Sequence, residues 1–293
     1  MASLKEIKGR IGSVQTTLKT TSAMKMVASA KLHKAQLAIE SMLPYDRQLS
    51  RIMVSMLSAG GNKYPSPLTL QHDKLERVAL VAIASNSSLC GGYNSNMVRK
   101  VTSALREYTE QVNEPVQVYV IGRKMDQAMK KLVGTLNIEL VRDYVELGDK
   151  PSFQTAQNIA QRLTADYLAG RLDRVELIYS HFKSTATQVP TRDVYLPLTI
   201  QADADVKPAQ AGYIIEPSPE EVLRQMVPDA LQMKIYTVLL DAQAAEHAAR
   251  TVAMQTATDN GNDLLNELNI AYNKGRQAAI TAELLDIVGG SMQ

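Results

Sequence analysis

The segment whose residue types most suggest chemistry is a glycine pair that follows an apolar run. Residues 78–84 are continuously apolar, as in a strand buried on both faces, and residues 89–94 then read Leu-Cys-Gly-Gly-Tyr-Asn. A glycine-rich turn between a strand and a helix can bind nucleotide phosphates. Here, however, the two glycines are adjacent, so neither the GxGxxG nor the GxxxxGKS/T spacing is present. The sequence therefore favours a tight turn without a bound nucleotide.

The other residue types that support catalysis or metal binding are scattered along the chain. The four histidines, His33, His72, His181 and His247, are far apart in sequence and form no HExxH motif. The single cysteine, Cys90, excludes a CxxC site and an internal disulfide. Nucleophile-elbow and paired-carboxylate patterns are missing as well. We therefore predict no catalytic site, no cofactor site and no metal site in this chain.

The composition narrows the possible partners. The net charge is only +2, Trp is absent and Phe occurs twice, so neither a basic footprint nor a stacking platform for nucleic acid is expected. No apolar run approaches the roughly 20 residues that a membrane span requires, so direct membrane insertion is not expected either. The first residues lack the apolar core of a signal peptide. Together with the lone cysteine, this predicts a protein of a reducing compartment.

The N-terminal segment, residues 1–60, has the pattern of a long coiled-coil helix. Residues 3–6, Ser-Leu-Lys-Glu, form a capping-box motif, and apolar residues then recur at alternating spacings of three and four. These apolar residues are Leu4, Ile7, Ile11, Val14, Leu18, Ala28, Leu32, Ala35, Ile39 and Met42. Pro44 is expected to break or kink the helix, and a weaker pattern continues to Gly60 and Gly61.

The C-terminal segment, residues 218–290, has the pattern of a second long helix. Residues 218–221, Ser-Pro-Glu-Glu, combine an N-cap, a first-turn proline and a capping-box glutamate. Pro228 is expected to interrupt the helix early, and Gly289 with Gly290 is expected to end it. The apolar stripe consists of Leu231, Ile235, Val238, Ala242, Ala245, Ala249, Val252, Ala257, Leu264, Leu268, Ala271, Ala278, Ala282 and Leu285.

These two helices are expected to pair with each other, because long helices derive most of their stability from packing an apolar face. Residues 1–57 hold nine Lys/Arg and three Asp/Glu, whereas residues 216–293 hold five Lys/Arg and eleven Asp/Glu. Their charges are therefore complementary. One chain that folds back on itself gives an antiparallel coiled coil, in which we expect the segments near Val14 and Val252 to lie close together. A helix bundle around an ordinary core is the alternative.

The central segment, residues 75–200, alternates between strand and helix patterns. The predicted strands are 78–84, 116–121, 138–141 and 175–179, and the predicted helices are 97–112, 124–132 and 156–168. Strict alternation predicts a mostly parallel sheet with helices on its faces, that is, a Rossmann-like α/β domain. A final extended segment, 194–198, contains Pro197 and is therefore expected at a sheet edge. The predicted fold class is α/β, with a long antiparallel coiled coil of the two terminal helices.

Five motifs give the sequence a family resemblance. They are residues 23–28 (Ala-Met-Lys-Met-Val-Ala) with 30–32 (Ala-Lys-Leu), 89–94 (Leu-Cys-Gly-Gly-Tyr-Asn), 246–250 (Glu-His-Ala-Ala-Arg), 257–260 (Ala-Thr-Asp-Asn) and 272–281 (Tyr-Asn-Lys-Gly-Arg-Gln-Ala-Ala-Ile-Thr). In this order, they resemble the signatures of the gamma subunit of rotary ATP synthases. The resemblance covers both ends and the middle, and therefore the whole chain.

The resemblance implies a mechanical role. In this family, the terminal helices form an antiparallel coiled coil that enters a ring of three alpha and three beta subunits. The α/β domain lies below, against the epsilon subunit and the membrane c-ring. The family transmits torque during proton translocation, while the catalytic residues and the nucleotide belong to the alpha–beta ring. The resemblance therefore implies a non-catalytic subunit on the cytoplasmic face of a bacterial plasma membrane.

The resemblance also implies residues that contact partners. The residues matching those that hydrogen-bond to a beta-subunit loop are Arg276, Gln277, Thr281 and Glu283. The residues matching positions near the coupling contacts are Met24 and Arg250. The residues expected in the apolar bearing at the top of the ring are Leu284, Leu285, Ile287 and Val288. Cys90 is expected to lie close to an acidic loop of the beta subunit. As alternatives, Met24 could simply pack on the C-terminal helix, and Arg276 could be a solvated cation complementing the helix dipole.

Some positions depart from the family pattern. A basic residue is common where Ser22 stands, and an Asp-basic-Gly stretch is common at residues 86–88, which here read Asn-Ser-Ser. A salt bridge from these positions to an acidic beta-subunit loop is therefore in doubt. The segment of residues 199–217 is short and contains no cysteine, so the redox-switch insertion of the chloroplast family is not expected. Two other functions remain open: a nucleotide-dependent transferase that uses the α/β domain, and a coiled-coil adaptor for another helical partner.

Overall fold

A computed structural model describes residues 3–60, 67–70, 72, 74–149, 151–198, 216 and 218–290. In chain order, the elements are α1 (Leu4–Gly60), β1 (Val78–Ile83), α2 (Tyr93–Gln111), β2 (Val116–Ile121), α3 (Arg123–Lys130), β3 (Ile138–Val141), a 3-10 helix (Val145–Asp149), α4 (Phe153–Leu168), β4 (Arg174–Phe182), β5 (Gln188–Leu196) and α5 (Pro219–Gly290). The predicted fold class is confirmed, because an α/β unit lies between two long helices that pair with each other.

The sheet has five strands in the order β3-β2-β1-β4-β5, and its first four strands are parallel. Every residue of β1 is buried because helices cover both faces of the sheet. The predicted mostly parallel sheet is confirmed, and its last strand, β5, follows β4 as an antiparallel neighbour with no helix between them. As predicted, β5 is an edge strand, but it begins earlier, at Gln188, and Pro197 follows its end.

The two predicted N-cap serines are confirmed. The Ser3 Oγ accepts a hydrogen bond from the amide of Glu6, and the Ser218 Oγ accepts one from the amide of Glu221, each at 3.2 Å. These side chains satisfy amides that have no partner within the helix. α2 begins earlier than predicted, at Tyr93, directly after the glycine pair.

The prolines do not end the helices. α1 continues through Pro44 without the break that was one of its two predicted effects, the other being a kink, and α5 continues through Pro228, so the predicted early interruption is wrong. A proline in a helix removes one backbone hydrogen bond and crowds the preceding turn. Buried Leu49 beyond Pro44, and buried Val227 and Leu231 around Pro228, pack into the main core, and this packing offsets the loss.

α1 and α5 form an antiparallel pair with a constant register. Leu4 packs beside Gly275, and fourteen residues later on α1, Leu18 packs beside Gly261, fourteen residues earlier on α5. Two hydrogen bonds continue the same register, one between the Thr21 and Thr258 hydroxyls at 2.9 Å and one from the Lys25 Nζ to the Gln255 Oε1 at 2.7 Å. The antiparallel coiled coil is therefore confirmed.

The detailed register differs from the prediction. Extending the observed pairs places Val14 opposite residues near 265, and Val252 opposite residues near 27. The expectation that Val14 and Val252 lie close together is therefore wrong. The apolar pattern alone fixes which face of a helix is buried, but not how far one helix is shifted along the other.

The first half of α5 buries two faces rather than one stripe. The first four residues of the predicted stripe pack against the sheet and α4, in the core of the α/β unit. These four residues are Leu231, Ile235, Val238 and Ala242. A different pair, Ala244 and Ala248, contacts Leu32 and Ala35 of α1. Farther along α5, Leu268 is buried as predicted, but Leu264 is exposed. The prediction of a single stripe is wrong because α5 has two partners at its base.

None of the described helices is long and apolar enough to cross a bilayer.

Candidate partner interface

The pairing of α1 with α5 brings Met24 and Arg250 to the same open groove. The groove has a volume of about 240 Å³ and lies where the two helices meet the α/β unit. Its remaining lining residues are Ala23, Val27, Ala28, Lys31 and His247. Apart from the polar side chains of Lys31, His247 and Arg250, the lining is apolar, so a partner side chain here would meet a mainly apolar wall.

Arg250 is buried, with only 8% of its surface exposed, and its guanidinium bonds within the chain. The Nη1 donates to the Glu246 Oε1 at 2.5 Å. The Nη2 donates to the Ser87 Oγ at 2.7 Å and lies 3.5 Å from the Ser88 carbonyl oxygen. Arg250 therefore ties the segment after β1 to α5, with the Ser87 hydroxyl and the Ser88 carbonyl as its acceptors.

The segment after β1 folds as the tight turn that the sequence predicts. The Ser85 amide donates to the Asn94 Oδ1 at 3.1 Å, and the Asn94 Nδ2 donates to the Ser87 carbonyl at 3.2 Å. Two residues of the turn have positive φ angles, Leu89 at 67° and Gly91 at 58°. Glycine adopts this backbone conformation readily, but a leucine is strained in it.

The same turn buries Cys90 and exposes its neighbour. Only 1% of Cys90 is exposed, and its Sγ lies 3.1 Å from the Asn94 Nδ2, in the core beneath α2. Leu89 is 60% exposed. The thiol does not reach the surface of the folded chain. A contact between this turn and a partner, predicted for Cys90, would therefore need another residue of the turn to make it.

A buried tyrosine anchors the start of α2 to α5. The Tyr93 hydroxyl donates to the Ala242 carbonyl at 3.1 Å. Burial raises the pKa of Tyr93 well above its usual value, because the apolar surroundings disfavour a phenolate. Tyr93 therefore remains a neutral hydrogen-bond donor. Together with Arg250, it attaches the α/β unit to α5 at two points that lie about two turns apart on the helix.

The predicted polar contact residues lie on the last turns of α5, and all four are exposed. They are Arg276, Gln277, Thr281 and Glu283. The Thr281 hydroxyl donates to the Gln277 carbonyl of its own helix at 2.9 Å, so its oxygen remains available to accept a hydrogen bond. Because Leu4, the first residue of α1, packs beside Gly275, these turns of α5 lie beyond the start of α1.

The predicted apolar contact residues follow directly and are also exposed. They are Leu284, Leu285, Ile287 and Val288, with exposed fractions between 56% and 67%. Their spacing, at positions i, i+1, i+3 and i+4, places them on one broad face of the helix. A water-exposed helix end normally carries polar residues, so this composition indicates a surface that another molecule covers.

The fold and these surfaces define a class of protein: a two-helix rod, with an exposed apolar end, that rises from a Rossmann-like base. A sequence model of the family described as ATP synthase matches residues 3–292. The ATP synthase gamma chain of Phocaeicola vulgatus is 53% identical over the whole of both chains, and that of Bacteroides thetaiotaomicron is 47% identical, also over the whole of both. The chain therefore belongs to the family of ATP synthase gamma chains.

Solved structures share the fold. A chain from the cryo-EM structure of the Tetrahymena thermophila mitochondrial ATP synthase, central stalk/c-ring, aligns with a TM-score of 0.58 at 24% identity, covering 81% of this chain and 99% of that one. A chain from the Euglena gracilis mitochondrial ATP synthase, OSCP/F1/c-ring, aligns with a TM-score of 0.64 at 18% identity, covering 99% and 93%. At these identities, the likeness supports the fold.

Proposed function

We propose that this chain is the central shaft of a proton-translocating ATP synthase. In this role it transmits torque between a membrane c-ring and a catalytic ring of alpha and beta subunits. The observation that carries the proposal is the α1–α5 rod, whose free end is apolar and exposed while its base is fixed to the α/β unit. Membership of the gamma-chain family supports the same role.

The proposed mechanism follows from the asymmetry of the rod. A pair of helices has no threefold axis, so it touches three identical partners differently at any moment. A site moves from mostly open to mostly closed when one state is favoured by about 5 kcal/mol of contact energy. By linkage, nucleotide occupancy must in turn bias the angle of the shaft. The chemistry then belongs to the ring, and this chain is a non-catalytic subunit.

The base of the rod supports the transmission of torque. Around residues 239–250, α5 is packed between α1 and the sheet, and the Tyr93 and Arg250 hydrogen bonds join it to the turn after β1. A torque applied to the α/β unit is therefore passed to α5 through packed side chains. We assign the epsilon subunit and the c-ring to this end, at the cytoplasmic face of a bacterial plasma membrane.

At the C-terminal end of α5, we propose polar contacts up to residue 283 and apolar contacts from residue 284 onward. Arg276, Gln277, Thr281 and Glu283 would hydrogen-bond to a loop of the beta subunit. Leu284 and Leu285, together with Ile287 and Val288, would lie in the apolar bearing of the ring. Every one of these side chains is exposed in the isolated chain, as such contacts require.

The double substitution Arg276→Ala/Gln277→Ala tests this assignment. Both side chains are exposed, so the free energy of unfolding should change by less than about 0.5 kcal/mol. ATP synthesis in membranes carrying the assembled complex should fall, because polar contacts to the ring are lost. The matched control is Asn273→Ala/Lys274→Ala, which removes two exposed polar side chains one turn earlier. Synthesis rates equal to those of the control would contradict the proposed contact.

A further inference from the structure

A cavity of about 190 Å³ lies where the start of α2 meets the β4–β5 hairpin and α5. Residues 91–93 and Asn96 line it on the side of α2, and apolar side chains of α5 form another wall, namely Ala249, Val252 and Ala253. None of its described lining residues is charged. The cavity shares no lining residue with the groove that contains Met24 and Arg250, so it is a separate opening between the α/β unit and α5.

The first turn of α2, beside this cavity, has backbone amides without acceptors. No side chain caps the helix at Gly92. The first bond of the helical pattern runs from the Asn96 amide to the Gly92 carbonyl at 2.9 Å, and in the described part of the chain the amides of Asn94 and Ser95 have no acceptor. Such amides, together with the positive end of the helix dipole, attract negative charge.

A buried serine hydroxyl opens into the same cavity. Ser180 lies on β4, lines the cavity and is only 2% exposed. Side chains alternate along a strand, so Ser180 faces the same side of the sheet as Ile178, which belongs to the core under α2. Its hydroxyl makes no hydrogen bond to any described residue. Buried polar groups normally have a partner, so this hydroxyl independently indicates a polar ligand in the cavity.

The chemistry of the walls selects a small anion. The available donors are neutral: the amides of Asn94 and Ser95, the Ser180 hydroxyl and the side-chain amide of Asn96. The apolar wall of α5 limits the access of water, which strengthens hydrogen bonds to a charged ligand. A volume of about 190 Å³ is below the roughly 300–1,000 Å³ typical of sites for larger organic ligands. An oxyanion of a few atoms fits both the donors and the volume.

We propose that this cavity binds a small oxyanion of the inorganic phosphate type. The amides at the start of α2 and the Ser180 hydroxyl donate hydrogen bonds to its oxygens. The bound ion joins α2, β4 and α5, so its binding stabilises the attachment of the α/β unit to the long helix. The site is independent of the proposed function, because every group in it belongs to this chain.

Titration of the purified full chain with inorganic phosphate, followed by calorimetry, tests the site, with sodium chloride at the same ionic strength as the baseline. We expect saturable binding of one phosphate per chain, and a midpoint of thermal unfolding that rises with phosphate concentration. Ser180→Ala should weaken the affinity at least about tenfold, because a hydrogen bond to a charged ligand is lost. Without phosphate, this variant should be at least as stable as the wild type, since its hydroxyl has no partner to lose.

Gly92→Asp tests the helix terminus by a second route. The φ of Gly92 is −79°, which aspartate adopts readily, and an added Cβ would lie 3.5 Å from the Asn96 Nδ2, an ordinary contact. The new carboxylate lies at the positive end of α2 and replaces the charge of the ligand. The unfolding midpoint should therefore not fall, while phosphate binding should be lost. The matched control, Ser103→Ala, removes an exposed hydroxyl from the same helix and should bind phosphate as the wild type does.

Three results would overturn the site. The first is the absence of saturable phosphate binding by the wild-type chain. The second is equal binding by the wild type and either Ser180→Ala or Gly92→Asp, which would show that phosphate binds elsewhere. The third comes from a parallel titration with ADP: tighter binding of ADP than of inorganic phosphate would indicate a nucleotide rather than a small free ion.

Discussion

The base and the free end of α5 follow opposite rules. At the base, within residues 239–250, even the polar side chains of Glu246, His247 and Arg250 are buried. At the free end, every residue of 276–288 except the half-buried Ala279 is exposed, including apolar residues such as Leu285 and Ile287. The same continuous helix therefore buries polar side chains at its base and exposes apolar side chains at its free end.

This contrast shows which part of α5 is fully packed by the chain's own residues. Burial of apolar surface is favourable by about 25 cal/mol per Å², so exposed leucines and isoleucines represent stabilisation that folding has left unused. Buried ionic groups, in turn, are tolerated only when their partners are built in, as Glu246 is for Arg250. The base is therefore fully packed within the chain, whereas the free end leaves apolar surface exposed, as the proposed interface requires.

The largest effect is expected from overpacking the base with Ala248→Leu. Ala248 has no exposed surface and lies against Leu32 and Ala35 of α1, so three added carbon atoms have no space. We expect the free energy of unfolding to fall by about 3 kcal/mol, at the upper end of what overpacking costs. Urea titration of the full chain, followed by circular dichroism, measures this loss.

The matched control for this substitution is Ala271→Leu, at an exposed position of the same helix. It should leave stability within about 0.5 kcal/mol of the wild type. If Ala248→Leu were equally harmless, the base of α5 would not be packed on both sides, and the contrast between base and free end would disappear.

The sequence was sufficient for local features and insufficient for features set by distant partners. The caps at Ser3 and Ser218 and the buried strand β1 were predictable, because each depends on a few neighbouring residues. The faces of α5 were not, because one stripe cannot show that Ala244 packs on α1 while Ala242 packs on the sheet.

The same limit applies to the candidate interface. Family motifs pointed to Met24 and Arg250, and the fold brings both to one groove. The hydrogen bond from Arg250 to Ser87 joins residues that are far apart in sequence, and no local pattern signals it. Cys90 and Leu89 are adjacent in the sequence, but the turn buries Cys90 and exposes Leu89, whose φ is positive.

A second prediction concerns how acidic pH changes stability through Asp173, the residue directly before β4. The Asp173 carboxylate is buried and lies 2.8 Å from the His72 Nδ1, and it accepts hydrogen bonds from the Arg77 side chain and from the amides of Glu76 and Arg77. Burial by itself raises the pKa of Asp173, but these hydrogen bonds outweigh it and lower the pKa to about 2. The charged form is therefore favoured by folding.

The sign of the pH dependence follows from this lowered pKa. The contribution of Asp173, about 2 kcal/mol, is fully present above the ordinary pKa of an aspartate near 4 and is lost as the pH falls through about 2. The difference in unfolding free energy between wild type and Asp173→Asn should therefore shrink between about pH 5 and pH 2. The exposed ion-pair residue Asp143 gives the control Asp143→Asn, which should show little difference at any pH. A difference for Asp173→Asn that does not change with pH would show that the carboxylate is not stabilised as a charge.

The smallest effect, and the finest test of the rod, comes from its glycines. A Cβ at Gly12 would meet no atom within 4 Å, so Gly12→Ala should stabilise the full chain by about 1 kcal/mol, through helix propensity alone. A Cβ at Gly261 would lie 2.6 Å from the Leu18 Cδ2, so Leu18 would have to move. We therefore expect Gly261→Ala to give a clearly smaller gain than Gly12→Ala in the same urea titration. Equal gains would mean that α1 and α5 do not approach each other closely at this level. The rod would then be a loose pair rather than a stiff one, and only the base of α5 would be tightly packed.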